Sequence, residues 1–145
     1  MPVRETPRVD AVSTGHVLGV GVDLVHVPTF AEQLDVPGSR FARMFSPGER
    51  SDIAERGGSA RHWAVRWAAK EAVVKAWSSA LFAHPPVMGD EAFAQIETVT
   101  DAWNRPQVRL HGAVAQHLAE CSVDISLSHD DEHAIAYAVL SACNR

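Results

Sequence analysis

The stretch from Ala60 to Leu81, ARHWAVRWAAKEAVVKAWSSAL, limits the possible folds more than any other part of the chain. It is dense in alanine and holds neither glycine nor proline, so it forms a helix of about six turns. Apolar residues cover most of its circumference. Such a helix is central, with the rest of the chain packed around it. At ~100° per residue, Glu71, Lys75 and Ser78 share one narrow stripe, while Arg66 and Lys70 lie elsewhere. A carboxylate on a helix of this kind is costly unless it is paired or binds a metal.

Upstream, over residues 16–25, Leu18, Val20, Val22 and Leu24 alternate with Gly19, Gly21 and Asp23, the period of a strand. One face is apolar. The other carries two glycines and then a carboxylate, which implies that something packs very close to it. Pro28 opens a short helix, RFARMF reads as a helical turn, and Ser46-Pro47-Gly48-Glu49 starts another helix with a capping box. Strands are predicted over 95–100 and 107–110, a short helix over 112–120, and a hairpin of strands 122–129 and 134–140. This order predicts an α+β fold: one domain over residues 16–145, its long central helix packed against an antiparallel sheet. Residues 1–15, polar and without an apolar h-region, are expected to form a disordered leader.

Several function classes are excluded early. No apolar run approaches the ~20 residues that span a bilayer. A formal net charge of −5 argues against a nucleic-acid binder. Cys121 and Cys143 show no zinc spacing, and a reducing, cytoplasmic setting is expected. The charge is uneven, however. From Arg40 to Lys75, eight Lys/Arg stand against four Asp/Glu, a net of +4, which leaves −9 on the remainder. A basic segment on an acidic chain suits an anionic ligand or an acidic partner.

Three places stand out chemically: Asp23 at the end of the glycine-faced strand, Glu71 with Lys75 on the central helix, and His129 closing Asp-Ile-Ser-Leu-Ser-His. Singly, Asp23 also fits a strand-end cap, Glu71 and Lys75 an i,i+4 ion pair, and His129 a hydrogen-bonded turn histidine. Together they fit another pattern. Two carboxylates from separate elements, completed by water and phosphate oxygens, make an oxygen-donor Mg²⁺ site, and a lysine one turn on serves a phosphate. Gly19-x-Gly21 lacks a third glycine and a following βαβ unit, so a dinucleotide fold is rejected. Neither a GxSxG elbow nor a Ser-His-Asp set is present.

Gly-Val-Asp-Leu-Val (21–25), Arg-Trp-Ala-Ala-Lys-Glu-Ala-Val-Val-Lys-Ala (66–76) and Ser-Leu-Ser-His (126–129) resemble the holo-acyl-carrier-protein synthases. These are the small, homotrimeric class of 4'-phosphopantetheinyl transferases, and the likeness runs from about Val17 to Leu140. The resemblance implies that fold and a Mg²⁺-dependent transfer of phosphopantetheine from coenzyme A to a serine of an acidic acyl carrier protein, with 3',5'-ADP released. It implies that Asp23 and Glu71 bind the metal and that Lys75 and His129 meet coenzyme A phosphates, all four being catalytic. Arg66 and Lys70 match further basic, coenzyme-binding positions. It implies a site between subunits, with the general base open among His129, a carboxylate and a water held by the metal. It also offers the glycine-faced strand a use in close packing near an interface. Arg40 and Arg43, beside Phe41 and Met44, are the candidates for carrier docking. Two departures stand out. His26 and Thr29 replace the glutamate and arginine of the family pattern V-E-I-x-R-I, and Trp-Ser-Ser-Ala-Leu-Phe-Ala-His-Pro-Pro (77–86) replaces a glycine-rich loop.

Overall fold

The computed structural model describes residues 15–143, so the leader expected over 1–15 lies, but for Gly15, outside the described residues. The chain begins with β1 (Val17–His26) and α1 (Val27–Asp35), followed by a 3₁₀ turn at Arg40–Met44 and α2 (Pro47–Glu55). The long α3 (Ala60–Ala80) comes next, then a second 3₁₀ turn at Asp90–Gln95 that the sequence pattern had not marked. β2 (Ile96–Thr100), β3 (Pro106–Leu110), α4 (Gly112–His117), β4 (Cys121–His129) and β5 (His133–Ala142) complete it. The capping box forms as read: Ser46 Oγ accepts from the Glu49 amide, and Glu49 answers at the Ser46 amide. α4 stops three residues short of expectation, because the chain turns at Leu118 to bury that side chain before β4.

Two antiparallel sheets carry the strands, one in the order β1-β5-β4 and one pairing β2 with β3. α3 lies across the first sheet and is indeed central: Ala64, Ala68, Ala69, Ala72, Val73 and Ala76 are all buried in the main core. An aromatic layer beside it joins Phe30, Phe41, Phe45, Trp63, Trp67 and Phe93, several pairs meeting edge to face.

What packs against the glycine face is α3 itself, not another subunit. A Cβ on Gly21 would stand 2.0 Å from the Ala72 carbonyl oxygen, and one on Gly19 would stand 2.1 Å from that of Ala76. The glycines therefore let a backbone meet a backbone. The reading of this face as interface packing is corrected accordingly. The opposite, apolar face is the open one. Leu18, Val20, Val22 and Leu24 of β1 lie outward beside Ile135 and Tyr137 of β5, and all six are substantially exposed.

Candidate active site

Asp23 follows Gly21 by two residues, so the close approach of α3 brings its carboxylate beside Lys75. Lys75 Nζ donates to Asp23 Oδ1 at 2.9 Å and to the Val22 carbonyl at 3.0 Å. Glu71, one turn earlier on α3, lines the same 290 Å³ cavity as Asp23, Lys75, His26 and Thr29. Burial pushes the Glu71 carboxyl above the usual glutamate range; the charges of Asp23 and Asp90 add to this and Lys75 opposes it. Two mutually repelling carboxylates thus line one cavity, with the lysine bonded to Asp23. A small, hard dication relieves that strain better than a proton does. Among the described residues no cluster of three or more His, Cys, Asp or Glu converges on a metal position. Two carboxylates alone would leave most positions around a hard dication to water and phosphate oxygens, an arrangement that Mg²⁺ accepts.

A second cavity, of 370 Å³, opens toward the β4 edge of the sheet, lined by Arg56, His62, Arg66, Thr98, Asn104 and His129 among others. Arg66 is almost wholly buried, paired with Asp52, and donates to the His62 carbonyl at 3.0 Å. Among the described residues its Nε has no partner, and neither has the buried Thr98 Oγ1. Arg56 donates to Asp52 Oδ1 at 3.1 Å, Asn104 Oδ1 at 3.2 Å and Thr100 Oγ1 at 3.1 Å. Burial alone would raise the Asp52 carboxyl, but hydrogen bonds from Arg56 and the charge of Arg66 outweigh it and hold it low. Burial lowers the His62 imidazole, as do the charges of Arg66 and Arg61. A buried guanidinium with one unspent donor, beside the exposed Arg56 and the free Thr98 hydroxyl, makes a receptor for an anion.

The register separates the two places. Asp23 pairs with Ala136, which pairs with Leu127, while His129 pairs with Ala134 opposite Val25. Asp23 and His129 thus lie on opposite edge strands with β5 between, about 10 Å apart across the sheet. One chain thus carries the acid cavity and the guanidinium cavity at two separate places along α3.

The sequence profile of the 4'-phosphopantetheinyl transferase superfamily matches residues 19–138. The chain belongs to this superfamily. Within it, the chain is similar to the holo-[acyl-carrier-protein] synthase of Mycobacterium tuberculosis, at 53% identity over 127 residues, 87% of this chain and 98% of that protein. The apo acyl carrier protein synthase of Chronobacterium ammoniagenes superposes with a TM-score of 0.80 at 47% identity, over 86% of this chain and 96% of the other. The coenzyme A complex from that organism gives 0.79 at 42%, over 87% and 98%. The fold expected from the sequence is the transferase fold found here.

The family motif is split by the structure. Asp23, Glu71 and Lys75 come together; Arg66 and His129 share the second cavity. Lys70 reaches neither. Its ammonium is completely buried against Glu49 at 2.7 Å, so a coenzyme-binding part for this lysine is corrected: no face of it is open to a ligand. Of the docking candidates, Arg40 and Arg43 are exposed, and Arg40 pairs with Asp90 at 3.4 Å. Phe41 and Met44 are half-buried, and Phe41 packs its ring 5.4 Å from Phe30 and 5.1 Å from Trp67. That aromatic contact holds the turn in place more than it serves a partner. The two departing residues bond each other, His26 Nδ1 standing 2.7 Å from Thr29 Oγ1 at the rim of the acid cavity. His62, Arg56, Thr98 and Asn104 escaped the sequence reading. Only His62, four residues before Arg66 on one helix, had a legible spacing.

Proposed function

We propose that this chain transfers the 4'-phosphopantetheine group of coenzyme A to a serine of apo-acyl carrier protein, with Mg²⁺ as cofactor, in fatty-acid or polyketide synthesis. The observation that carries the reading is the meeting of Asp23, Glu71 and Lys75 in a chain matched to the transferase superfamily over residues 19–138. Asp23 and Glu71 would hold the ion, which when bound withdraws charge from the phosphate oxygens. Lys75, half-exposed and fixed by two hydrogen bonds, holds a phosphate oxygen beside it as a point charge. The serine hydroxyl gives its proton to a base at the site, His129 or a carboxylate, as its oxygen attacks the phosphorus attached to pantetheine. The bond from that phosphorus to the bridging oxygen breaks, and 3',5'-ADP leaves with the electron pair. Arg66, with Thr98 and His129 around it, takes a phosphate of the nucleotide through the donors left free in its cavity.

Asp23 and His129 lie on opposite edges of the sheet, which accords with a site completed where the flank of one chain meets the other flank of a second. The exposed apolar row on β1 and β5 supplies a surface for such an assembly, which we read as a homotrimer. Val22→Asp, at the middle of that row, is expected to give a monomer by analytical ultracentrifugation and to lose transfer. A trimer that survives this change would remove the apolar row from the interface. Both cysteines are free, which accords with a cytoplasmic setting.

The direct test is intact mass spectrometry of an apo carrier protein incubated with the protein, coenzyme A and Mg²⁺. A gain of one phosphopantetheine, abolished by EDTA, is expected. Coenzyme A consumed without a gain on the carrier would mean hydrolysis instead. For docking, Arg43→Glu is expected to raise KM for the carrier at least tenfold and leave KM for coenzyme A nearly unchanged. Equal effects on both would end the assignment of this turn to the carrier.

A further inference from the structure

Lys70 stands one residue before Glu71 yet takes no part in the acid centre. Its three ammonium protons go to Glu49 Oε1 at 2.7 Å, the Phe93 carbonyl at 2.8 Å and the Ile96 carbonyl. The ammonium also lies 5.4 Å from the centre of the Phe45 ring. Glu49 is as deeply buried, and its carboxylate accepts from the Ser46 amide at 3.0 Å and the Thr98 amide at 3.2 Å. Two side chains thereby fasten four pieces of chain to α3: the start of α2, the 3₁₀ turn at 90–95, and both ends of the β2 entry at Ile96 and Thr98.

Stability alone is a poor account of this arrangement. Removing both ions from water costs several kcal/mol each, and a well-packed apolar pair of equal volume often holds such elements as firmly. What the polar pair adds is direction, since each donor and acceptor fixes where one backbone segment lies relative to the helix. The fastened segments do not line the acid cavity itself; they lie beside the turn that carries the docking arginines. Ser46, the N-cap of α2, stands two residues beyond the turn that carries Arg40 and Arg43. Asp90 opens the 3₁₀ turn, pairs with Arg40 at 3.4 Å, and acts on Glu71 through its charge.

We propose that the buried Lys70–Glu49 pair is a positioning device that sets the carrier-docking turn at a fixed place relative to the Asp23–Glu71 centre. Lys70 and Glu49 are positioning residues here, acting through the segments they hold. The inference rests on the assignment of Arg40 and Arg43 to the carrier.

The test is the double variant Glu49→Gln/Lys70→Met, which removes both charges while the glutamine oxygen keeps an acceptor for one of the Ser46 and Thr98 amides. It is expected to melt within a few degrees of the parent, to raise KM for the apo carrier at least tenfold, and to leave KM for coenzyme A within twofold. Glu49→Gln alone, which leaves the buried Lys70 ammonium without its counter-ion, is the less stable companion, with an expected threefold or larger rise in carrier KM. A parental carrier KM in whichever of these variants folds would overturn the proposal and leave the pair a purely structural one. Arg43→Glu separates the two ideas. If it weakens the carrier and the pair variants do not, only the positioning falls. If Arg43→Glu itself leaves carrier binding intact, the docking assignment falls first.

Discussion

Glu71→Gln is expected to lower transfer to the carrier by 10³-fold or more while melting no lower than the parent protein. The loss follows from the chemistry. A neutral amide in place of one of the two carboxylates proposed to hold the metal forfeits several kcal/mol of charge stabilisation in the transition state, and about 4 kcal/mol is 10³-fold in rate. The retained stability follows from the folded-state electrostatics. Burial, Asp23 and Asp90 raise the Glu71 carboxyl above its unfolded value, so the folded chain binds that proton more tightly than the unfolded one. Above the raised pKa the ionised group therefore opposes folding, and an isosteric amide removes the penalty. The pairing of lost activity with undiminished melting temperature is the signature of a functional site held under strain. Initial rates by intact mass and a thermal melt at neutral pH check both halves. Full activity would take Glu71 out of the site; a large fall in melting temperature would make it a structural residue.

Much of the fold was legible because the strongest local signals were also the global ones. The alanine-rich helix reads as central and is central. Ser46 and Glu49 read as a capping box and form one. The alternation in 16–25 identified both the strand and the two faces, yet not which face would be open. That failure has a physical reason. A row of Leu18, Val20, Val22 and Leu24 normally marks the buried side of a strand, and only the backbone contact of Gly19 and Gly21 with α3 reverses it. The candidate site divides in the same way. Asp23, Glu71 and Lys75 lie on two elements whose spacing the motif preserves, so they were found together. Lys70 was misread because a lysine in a basic motif looks like a ligand residue, whereas its partner Glu49 is 21 positions away on another helix. The anion cavity draws Arg56, Thr98 and Asn104 from three separated segments, and no local pattern joins them.

Gly21→Ala carries the second large effect and ties the glycine face to the chemistry. The added methyl would lie 2.0 Å from the Ala72 carbonyl oxygen and 2.6 Å from the Ala76 amide nitrogen. Both are backbone atoms in the middle of a buried helix, so no side chain can swing aside to make room. Either α3 lifts from β1 or the strand bends away. Overpacking of this kind costs about 3 kcal/mol, which for a chain of this size lowers the melting temperature by about 10 °C. Gly38→Ala is the comparison: its Cβ meets nothing within 4 Å, and its φ of +78° limits the cost to local backbone strain, about 1 kcal/mol. Separation of strand and helix also reaches the site two residues on, because Asp23 rides on the strand and Lys75 on the helix, and their 2.9 Å bond spans that seam. Gly21→Ala is therefore expected to lose transfer activity at temperatures where it remains folded, and Gly38→Ala is expected to keep it. A variant at Gly21 that melts within 2 °C of the parent would mean that the helix does not rest on this strand. Equal loss of activity in both variants would detach the acid centre from the glycine seam.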